Sequence, residues 1–474
     1  MCLGHSMRRI AICIAAVATL AFASVADAGA TFEITGGGYG HGIGMSQYGA
    51  YGYALHGESY QSILAHYYQG TSLGTVNPNQ TVRVLLGTGA ASFSGASAAS
   101  GATPGVPARK LNPSHTYSVR ALANGELALY SQAGKKLETF AAPLVVTGPA
   151  PLALAGHGSY RGDFEFSVVG GRVQTVNAVG LDDYVQGVVA AEMPASWATA
   201  ALEAQAVAAR TYAITSNVGG DGYTLYPDTR SQMYGGVGAE TPSTNAAVAA
   251  TRGQVLTYNG APVTAYFFSS SGGYTENIEN VWLGATPEPW LRGVPDPYDN
   301  VAGNPYYRWS FKMTLRSAAR KLGSLVKGRF RGIRVTKRGV SPRVVYAEVV
   351  GSRGKTSVTG PQLEQLFGLP STYMRFTTIS AARRHRPAAS RDSLARVYPT
   401  ALRAVARSSG WMLSGFVFPA SKGSTVAIQR RTGKRWRTVR RLRVGAAGGY
   451  AISLRRGSYR VLYGGLAGDP VTLG

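Results

Sequence analysis

One glutamate in the sequence is placed for acid–base chemistry. Glu192 ends the segment 181–192, whose apolar spacing predicts an amphipathic helix. The apolar residues that share its helical face are Leu181, Tyr184, Val185, Val188 and Val189. Because Pro194 disfavours helical backbone at Met193, Glu192 lies at the helix C-terminus, where burial and the helix dipole both disfavour a carboxylate. We therefore expect a raised pKa for Glu192, as general-acid cleavage of a glycosidic bond requires. The alternative is a helix-end glutamate that faces solvent.

A second predicted helix, 197–216, follows directly and begins after Ser196, a good N-cap residue. The segment is rich in alanine, and Gln205 and Arg210 are polar exceptions in it. These two side chains are candidates to orient a sugar or a carboxylate. A solvated helix face explains them equally well.

The segment 36–47 is rich in glycine and contains His41, Ser46 and Gln47. It lacks the Gly-Lys-Ser/Thr of a phosphate-binding loop and the glycine spacing of a dinucleotide-binding turn, which argues against nucleotide binding. We expect a tight loop that presents these three side chains to a groove. A second small-residue loop, 269–273, does not match the Gly-x-Ser-x-Gly nucleophile elbow, which argues against serine hydrolysis.

The first 28 residues have the three parts of a secretory signal peptide. Residues 7–9 contain two arginines, residues 10–23 are apolar, and residues 26–28 form an Ala-x-Ala cleavage site. An uncleaved membrane anchor is the alternative. Cleavage after Ala28 would remove Cys2 and Cys13, so we expect an exported chain without disulfides, thiolate metal sites or a cysteine nucleophile.

Charge is distributed very unevenly along the chain. Residues 1–300 hold 14 Lys and Arg against 19 Asp and Glu, whereas residues 301–474 hold 34 against four. The segment 381–474 has a net charge of +17, and its densest part, 429–443, resembles a hairpin with Trp436 among the arginines. Such a surface favours an anionic polymer. The export signal argues against nucleic acid and for an anionic cell-wall polymer; a solvated face that keeps the protein soluble is the alternative.

The elements that would position these residues indicate an α+β chain. We predict a strand over 31–36, a helix from 45 to about 68, and short strands over 81–175. After the helices 181–192 and 197–216, a mixed region with a helix near 314–326 runs to residue 379. Residues 380–404 are interpreted as a basic linker. Residues 405–474 alternate in short runs between glycine-rich turns, which predicts a small all-β sandwich of the immunoglobulin-like type.

Several motifs together resemble the stage II sporulation protein D/amidase enhancer (SpoIID/LytB) family. They are His41-Gly-Ile-Gly-Met-Ser-Gln-Tyr-Gly-Ala50, Glu192-Met-Pro, Ala204-Gln-Ala-Val-Ala-Ala-Arg-Thr-Tyr212, Ser231-Gln-Met-Tyr234 and Ser270-Ser-Gly-Gly273. The resemblance covers residues 31–379 and implies a SpoIID-like catalytic domain over 29–379. It implies a secreted, wall-associated lytic transglycosylase, a carbon–oxygen lyase, that cuts peptidoglycan glycan strands, preferably those stripped of stem peptides.

The resemblance also assigns a role to one residue: Glu192 matches the family's catalytic acid. The residues that we predict to bind substrate are Arg210, Gln205, His41, Ser46, Gln47, Ser270 and Ser271. Asp182 and Asp183 lie about three turns from Glu192 on the predicted helix, too far to assist it.

Two features depart from the family pattern. The Gly-His-Gly motif normally comes late in the domain, whereas here it comes first, so we predict a circular permutation in which residues 31–75 fold back beside residues 370–379. Some relatives bind zinc through a histidine before the Ser-Gln motif and nearby cysteines. This chain has Arg230 at that position, so we predict no metal, and we expect no cofactor.

A second function remains open at this point. The chain could be a non-catalytic glycan-binding protein that stimulates a cell-wall amidase. Both functions require peptidoglycan as the partner, and only the first gives products with anhydro-muramyl ends.

Overall fold

The computed structural model describes residues 30–385, 411–421, 423–445 and 447–474. The predicted signal peptide, 1–28, lies outside these residues, as does the part of the predicted linker from 386 to 404. The protein is of the mixed α+β class, as the sequence predicts. Within the described ranges, no helix is long and apolar enough to cross a membrane.

The first segment contains two helices where the sequence predicts one. The chain breaks at Gly57, whose φ of +87° is a left-handed conformation that favours glycine. A new helix begins after Ser59, whose side chain accepts a hydrogen bond from the backbone N–H of Ser62. The elements of this segment are β1 (Ala30–Gly36), β2 (Met45–Ser46), α1 (Gln47–Leu55), α2 (Tyr60–Tyr67) and β3 (Ser72–Thr75).

Residues 81–180 form two antiparallel six-stranded sheets that share an apolar core. Phe93 from one sheet and Phe166 from the other have ring centroids 5.5 Å apart. The first sheet has the strand order β10-β9-β8-β5-β12-β13 and the second β4-β15-β14-β11-β6-β7. The strands are β4 (Thr81–Thr88), β5 (Ala91–Ser94), β6 (Ala98–Ser100), β7 (Arg109–Lys110), β8 (Tyr117–Ala121), β9 (Leu127–Ser131), β10 (Lys136–Phe140), β11 (Leu144–Thr147), β12 (Leu152–Leu154), β13 (Gly158–Tyr160), β14 (Asp163–Val169) and β15 (Arg172–Gly180).

The next segment is a helical layer built around one buried helix. The helix 181–192 has the predicted bounds, whereas the following helix begins at Thr199, and its N-cap is Ala198 instead of Ser196. That second helix packs against α1, α2 and its two sequence neighbours, which leaves almost all of residues 201–213 buried. The elements are α3 (Leu181–Glu192), α4 (Thr199–Thr215), a 3₁₀ turn (Gly236–Gly238), α5 (Pro242–Ala250), β16 (Gln254–Tyr258), β17 (Ala261–Pro262), β18 (Phe267–Phe268) and α6 (Ile278–Val281).

A second core forms between residues 309 and 385. Phe32 of β1 lies at its centre, and its ring centroid lies within 6.0 Å of those of Phe330, Phe367 and Phe376. The predicted helix 314–326 is an eight-residue helix followed by a 3₁₀ turn. The elements are β19 (Trp309–Thr314), α7 (Leu315–Leu322), a 3₁₀ turn (Gly323–Leu325), β20 (Phe330–Arg338), β21 (Val344–Gly351), β22 (Gly354–Thr359), α8 (Gly360–Phe367) and β23 (Met374–His385).

Residues 411–474 form two sheets around a third core, which includes Leu413, Ile428 and Val461. A sandwich is therefore present, and its immunoglobulin-like type stays a prediction. The strands are β24 (Trp411–Phe418), β25 (Thr425–Thr432), β26 (Arg435–Arg443), β27 (Gly449–Leu454), β28 (Gly457–Tyr463), β29 (Leu466–Ala467) and β30 (Val471–Leu473).

The sandwich shares a sheet with the preceding core. The five-stranded sheet has the order β19-β1-β23-β24-β27, so β23 pairs with β1 through its first half and with β24 through its second. The predicted linker is therefore wrong over residues 380–385, which continue β23. This stretch reads Ser-Ala-Ala-Arg-Arg-His, and composition alone does not distinguish such a strand end from a basic linker.

β1 lies between β19 and β23 and pairs with both in antiparallel register, with Ala30 opposite Ser380 and Gly36 opposite Met374. Residues 30–36 thus lie beside residues 374–380, where the sequence analysis expects them. The permutation itself, which is a statement about the order of motifs in relatives, stays a prediction.

Because β1 is central, truncating Phe32 should destabilise the whole protein. We expect Phe32→Ala to lower the free energy of unfolding by about 3–5 kcal/mol, the usual cost of deleting a buried phenylalanine side chain. Chemical denaturation followed by circular dichroism measures it. Phe311→Ala is the matched control, because Phe311 lies on the neighbouring strand β19 with 38% of its surface exposed. Equal losses in the two variants would contradict a central position for β1.

Candidate active site

The carboxyl group of Glu192 lies at the end of α3, held by two donors from distant segments. Oε1 accepts a hydrogen bond from the backbone N–H of Met233 at 2.7 Å, and Oε2 accepts one from Nε2 of Gln47 at 3.0 Å. The helix ends here because Met193 is extended, as expected before a proline. Burial raises the pKa of Glu192, while the two hydrogen bonds act to lower it.

Gln47 reaches Glu192 because α1 begins at this residue. Ser46 is the N-cap: its Oγ accepts the backbone N–H of Gly49 at 3.2 Å. The same hydroxyl donates to Oδ1 of Asp299 at 2.8 Å. The start of α1, and with it the side chain of Gln47, is thus fixed to a buried carboxylate.

Asp299 joins three segments of the chain. It is fully buried, and its carboxylate accepts hydrogen bonds from hydroxyl, backbone and amide groups. The donors are Ser46 Oγ, Ser270 Oγ, the backbone N–H groups of Ser271 and Gly272, and Asn304 Nδ2. Ser46, Ser270 and Ser271, which the sequence analysis assigns to substrate binding, are themselves fully buried. In this structure they position the loops and do not face a groove.

A second buried carboxyl group, Asp296, lies under α1. Its Oδ1 accepts a hydrogen bond from the hydroxyl of Tyr67 at 2.9 Å. Burial, with the nearby charge of Asp299, raises the pKa of Asp296 to about 7. Asp296 therefore still binds a proton in a pH range where an exposed aspartate is ionised.

Arg210 and Gln205 are also interior residues. The guanidinium of Arg210 donates from Nε to Oδ1 of Asp182 at 2.6 Å and also contacts backbone carbonyls, including that of Gln254. Gln205 is fully buried. Both side chains are thus enclosed in this structure, and their part in substrate binding stays a prediction. They lie on α4, which is buried on almost every side. The Ala-rich sequence of this helix does not indicate that burial.

His41 is placed at the surface of a cavity and is neutral. Its Nδ1 accepts the backbone N–H of Ile43 at 3.0 Å, so its Nε2 carries the proton and donates to the carbonyl of Phe267, also at 3.0 Å. Burial and the neighbouring Arg343 lower the pKa of His41 to about 4. With both nitrogens engaged, His41 offers a ring face and not a titrating proton near neutral pH.

The cavity has a volume of about 270 Å³ and largely aromatic walls. Its lining residues are His41, Tyr212, Val218, Thr229, Arg230, Ser231, Tyr266, Phe267 and Trp282. Ser231, which lines the cavity, comes two residues before Met233, whose backbone N–H donates to Glu192. On the α1 side, Trp197 stacks on Tyr51 with ring centroids 4.6 Å apart. Aromatic faces beside a carboxyl group suit the binding of sugar rings.

Similarity to known proteins agrees with this geometry. The family model for stage II sporulation protein (SpoIID) matches residues 169–258. The chain is 35% identical over 215 residues to stage II sporulation protein D of Bacillus subtilis, which is 42% of this chain and 60% of that protein. It is 48% identical over 103 residues to the amidase enhancer of the same organism. This match covers 22% of this chain and 14% of the amidase enhancer. These matches confirm the resemblance to the SpoIID/LytB family that the motifs indicate.

The SpoIID family match covers only part of the site. Residues 169–258 contain Glu192 and Met233, whereas Gln47 and Asp299 come from outside that range. The chain spans about 60% of the length of the stage II sporulation protein D relatives. The site described here is therefore completed by segments far from the matched region in sequence.

Arg230 makes an ion pair. It occupies the position at which some relatives are expected to carry a zinc-binding histidine. Its Nη2 donates to Oδ2 of Asp228 at 2.7 Å, and its guanidinium lies 3.8 Å from the ring centroid of Tyr226. Across the part of the chain that the structure describes, no group of three or more His, Cys, Asp or Glu could hold a metal ion.

Sequence reasoning missed two groups that hold the site together. Met233 contributes a backbone N–H, which no side-chain pattern indicates, although it lies in the Ser231-Gln-Met-Tyr234 motif. Asp299 lies in the segment Pro295-Asp-Pro-Tyr-Asp299, where nothing local marks it as a buried acceptor. Only the structure shows how many donors converge on it.

The hydrogen bond from Gln47 should lower the pKa of Glu192. Replacing Gln47 by methionine removes a donor that favours the carboxylate, so the pKa of Glu192 should rise further. A ¹³C NMR titration of the labelled glutamate carboxyl groups measures the change. Gln61→Met, on the exposed surface of α2, is the control and should leave that titration unchanged. A lower or unaltered pKa in the Gln47 variant would show that this hydrogen bond does not stabilise the carboxylate.

Asp296 should make stability depend on pH. Its pKa is about 7 in the folded protein against 3.8 in the unfolded chain, so the folded state holds a proton that the unfolded chain loses. This contribution to stability is complete below about pH 4 and is lost as the pH rises to about 7. The substitution Asp296→Asn removes this pH-dependent contribution. Denaturation between pH 5 and 8 should show the variant gaining stability relative to wild type as the pH rises.

Asp469→Asn is the control for this experiment, because Asp469 is exposed. Its stability difference from wild type should stay constant over the same pH range. A pH-independent difference for Asp296→Asn as well would rule out a titrating Asp296.

Proposed function

We propose that this protein is a peptidoglycan lytic transglycosylase that uses Glu192 as its single acid and base. The observation that carries the proposal is a half-buried carboxyl group with a raised pKa, held by two donors beside an aromatic-walled cavity. Similarity to the SpoIID/LytB family supports a cell-wall-related role. The proposed substrate is a glycan strand, preferably one stripped of stem peptides.

The proposed reaction needs one carboxyl group. Protonated Glu192 gives its proton to the glycosidic oxygen as the bond from that oxygen to the anomeric carbon of N-acetylmuramic acid breaks. The carboxylate then takes the proton of the 6-hydroxyl of the same sugar, whose oxygen bonds to the anomeric carbon. The products are a 1,6-anhydro end and a free hydroxyl on the released strand. No water is consumed.

The other carboxyl groups nearby support this assignment. Asp182 lies ten residues before Glu192 on α3, about 15 Å along the helix axis, and is paired with Arg210. Asp296 and Asp299 are fully buried beneath α1. A hydrolytic pair would need a second carboxyl group about 5–10 Å from the first across the substrate.

The proposed location is outside the cytoplasm, at the cell wall. The signal-like pattern of residues 1–28 supports export. The substrate supports it too, because peptidoglycan lies outside the membrane.

One observation favours the second candidate function, which is the stimulation of a cell-wall amidase. The 103-residue match at 48% identity is to a protein named amidase enhancer. A protein of that kind would bind glycan through the same aromatic walls, and Glu192 would then contribute only a hydrogen-bonding group.

Replacing Glu192 by glutamine separates the two functions. The amide cannot donate an acidic proton, so we expect release of anhydro-muramyl products from denuded glycan to fall about 100- to 10,000-fold. Mass spectrometry of the digest measures these products. Glu203→Gln on α4 is the control and should retain wild-type activity.

Two results would contradict the proposal. Anhydro ends formed by the glutamine variant at the wild-type rate would show that Glu192 is not the acid. Wild-type protein that yields no anhydro ends but accelerates a cell-wall amidase would establish the second function.

A further inference from the structure

The C-terminal sandwich has one sheet surface that faces away from its core, here called the outer face. Ile428 of β25 and Val461 of β28 are opposite each other and buried in the core. Residues that are paired share a face, and neighbours along a strand alternate. The outer face therefore consists of Thr425, Ala427, Gln429, Arg431, Trp436, Thr438, Arg441, Arg443, Arg460 and Leu462.

Contacts on this face form an aromatic centre among arginines. The guanidinium of Arg460 lies 4.7 Å from the ring centroid of Trp436, and its Nε donates to Oε1 of Gln429 at 2.8 Å. Arg431 is directly opposite Trp436 on the neighbouring strand. Arg441 and Arg443 continue the row along β26, about 7 Å apart as alternate residues of a strand.

No carboxylate neutralises these arginines within the described residues. Asp469 is the one acidic residue among the described positions from 411 to 474, and no ion pair there involves an arginine of the outer face. In the acidic front part, by contrast, Arg83, Arg109 and Arg161 each pair with a glutamate. Like charges held together on a rigid sheet repel each other, so a ligand that neutralises them binds with favourable electrostatic energy.

The choice of arginine indicates the chemistry of the ligand. The cationic residues on this face are all arginines, and among the described positions of the sandwich Lys434 is the one lysine. The planar guanidinium binds phosphate through two parallel hydrogen bonds, whereas a lysine acts as a point charge. A row of guanidinium groups at strand spacing matches an extended polymer with regularly repeated phosphates.

We propose that the outer face binds a linear polyol-phosphate polymer of the cell wall. Arginine binds both phosphate and carboxylate in this way, so the test below compares a polymer of each kind. The choice of a wall polymer over a nucleic acid rests on the proposed function, which places the protein at peptidoglycan.

The shared strand determines how the proposal must be tested. Removing everything after residue 380 would delete Ala381 and expose Ile379, both of which lie in the core of the sandwich, so a truncated protein would lack most of that core. The test therefore uses the full chain with surface substitutions.

The variant carries Arg431→Gln, Arg441→Gln and Arg443→Gln, and it is measured against immobilised poly(glycerol phosphate). The control carries Arg435→Gln, Arg437→Gln and Arg440→Gln, which removes the same charge from positions that pair with residues of the opposite face. We expect the first variant to bind at least tenfold more weakly and the control to bind within about twofold of wild type. The dependence of log affinity on log salt should become shallower by about 2 in the first variant, since each phosphate contact contributes about 0.7.

Several results would overturn the proposal. Equal losses in both triple variants would show that net charge and not the outer face binds the polymer. Equal affinity for poly-glutamate would show that phosphate is not recognised. Tighter binding to a single-stranded oligonucleotide or to anionic lipid vesicles would assign the face to a different partner.

The outcome is separable from that of the catalytic proposal. Glu192→Gln should bind poly(glycerol phosphate) with wild-type affinity, because the outer face does not include Glu192. A protein that binds the polymer through this face but forms no anhydro ends would support this inference and contradict the catalytic one.

Discussion

The site depends on one buried carboxylate, that of Asp299. Its partners in the described chain are hydroxyl, amide and backbone groups, and they come from the start of α1, the loop 270–272 and Asn304. Leaving a buried donor or acceptor without a partner costs about 1–3 kcal/mol, so these segments are held to one arrangement. Gln47 follows Ser46 directly. Its hydrogen bond to Glu192, across 145 residues of sequence, is therefore a consequence of how Asp299 is satisfied.

The neighbouring Asp296 shows that this buried arrangement requires one carboxyl group to hold a proton. Two carboxyl groups lie buried under one short helix, and they cannot both carry a full charge there without a large electrostatic cost. The raised pKa of Asp296 resolves the conflict by keeping one of them protonated around neutral pH. The polar interior beneath α1 thus contains a carboxyl group, that of Asp296, that titrates near neutral pH.

The sequence predicts the parts of this site that depend on local patterns. The bounds of α3 follow from apolar periodicity and Pro194, and the position of Glu192 at its end follows from those bounds. The roles of Ser46, Ser270 and Ser271 could not be predicted, because a hydroxyl that satisfies a buried acid has the same local sequence as one that binds a ligand. The burial of Arg210 could not be predicted for a related reason: an Ala-rich helix gives no sign that it is buried on every side. The end of β23 was missed because charged residues on a strand resemble a linker in composition.

The strand β23 contributes residues to two cores, which restricts how far the sandwich can move relative to the preceding core. A catalytic domain joined to a binding module by a flexible linker samples a volume that grows with linker length. Here the two cores share one hydrogen-bonded sheet, so the module adds no such freedom. The sandwich is therefore held in place relative to β1, the strand that leads into the segment carrying Gln47. Under the two proposals above, such a protein would cut strands beside its point of attachment and would have to detach to reach others.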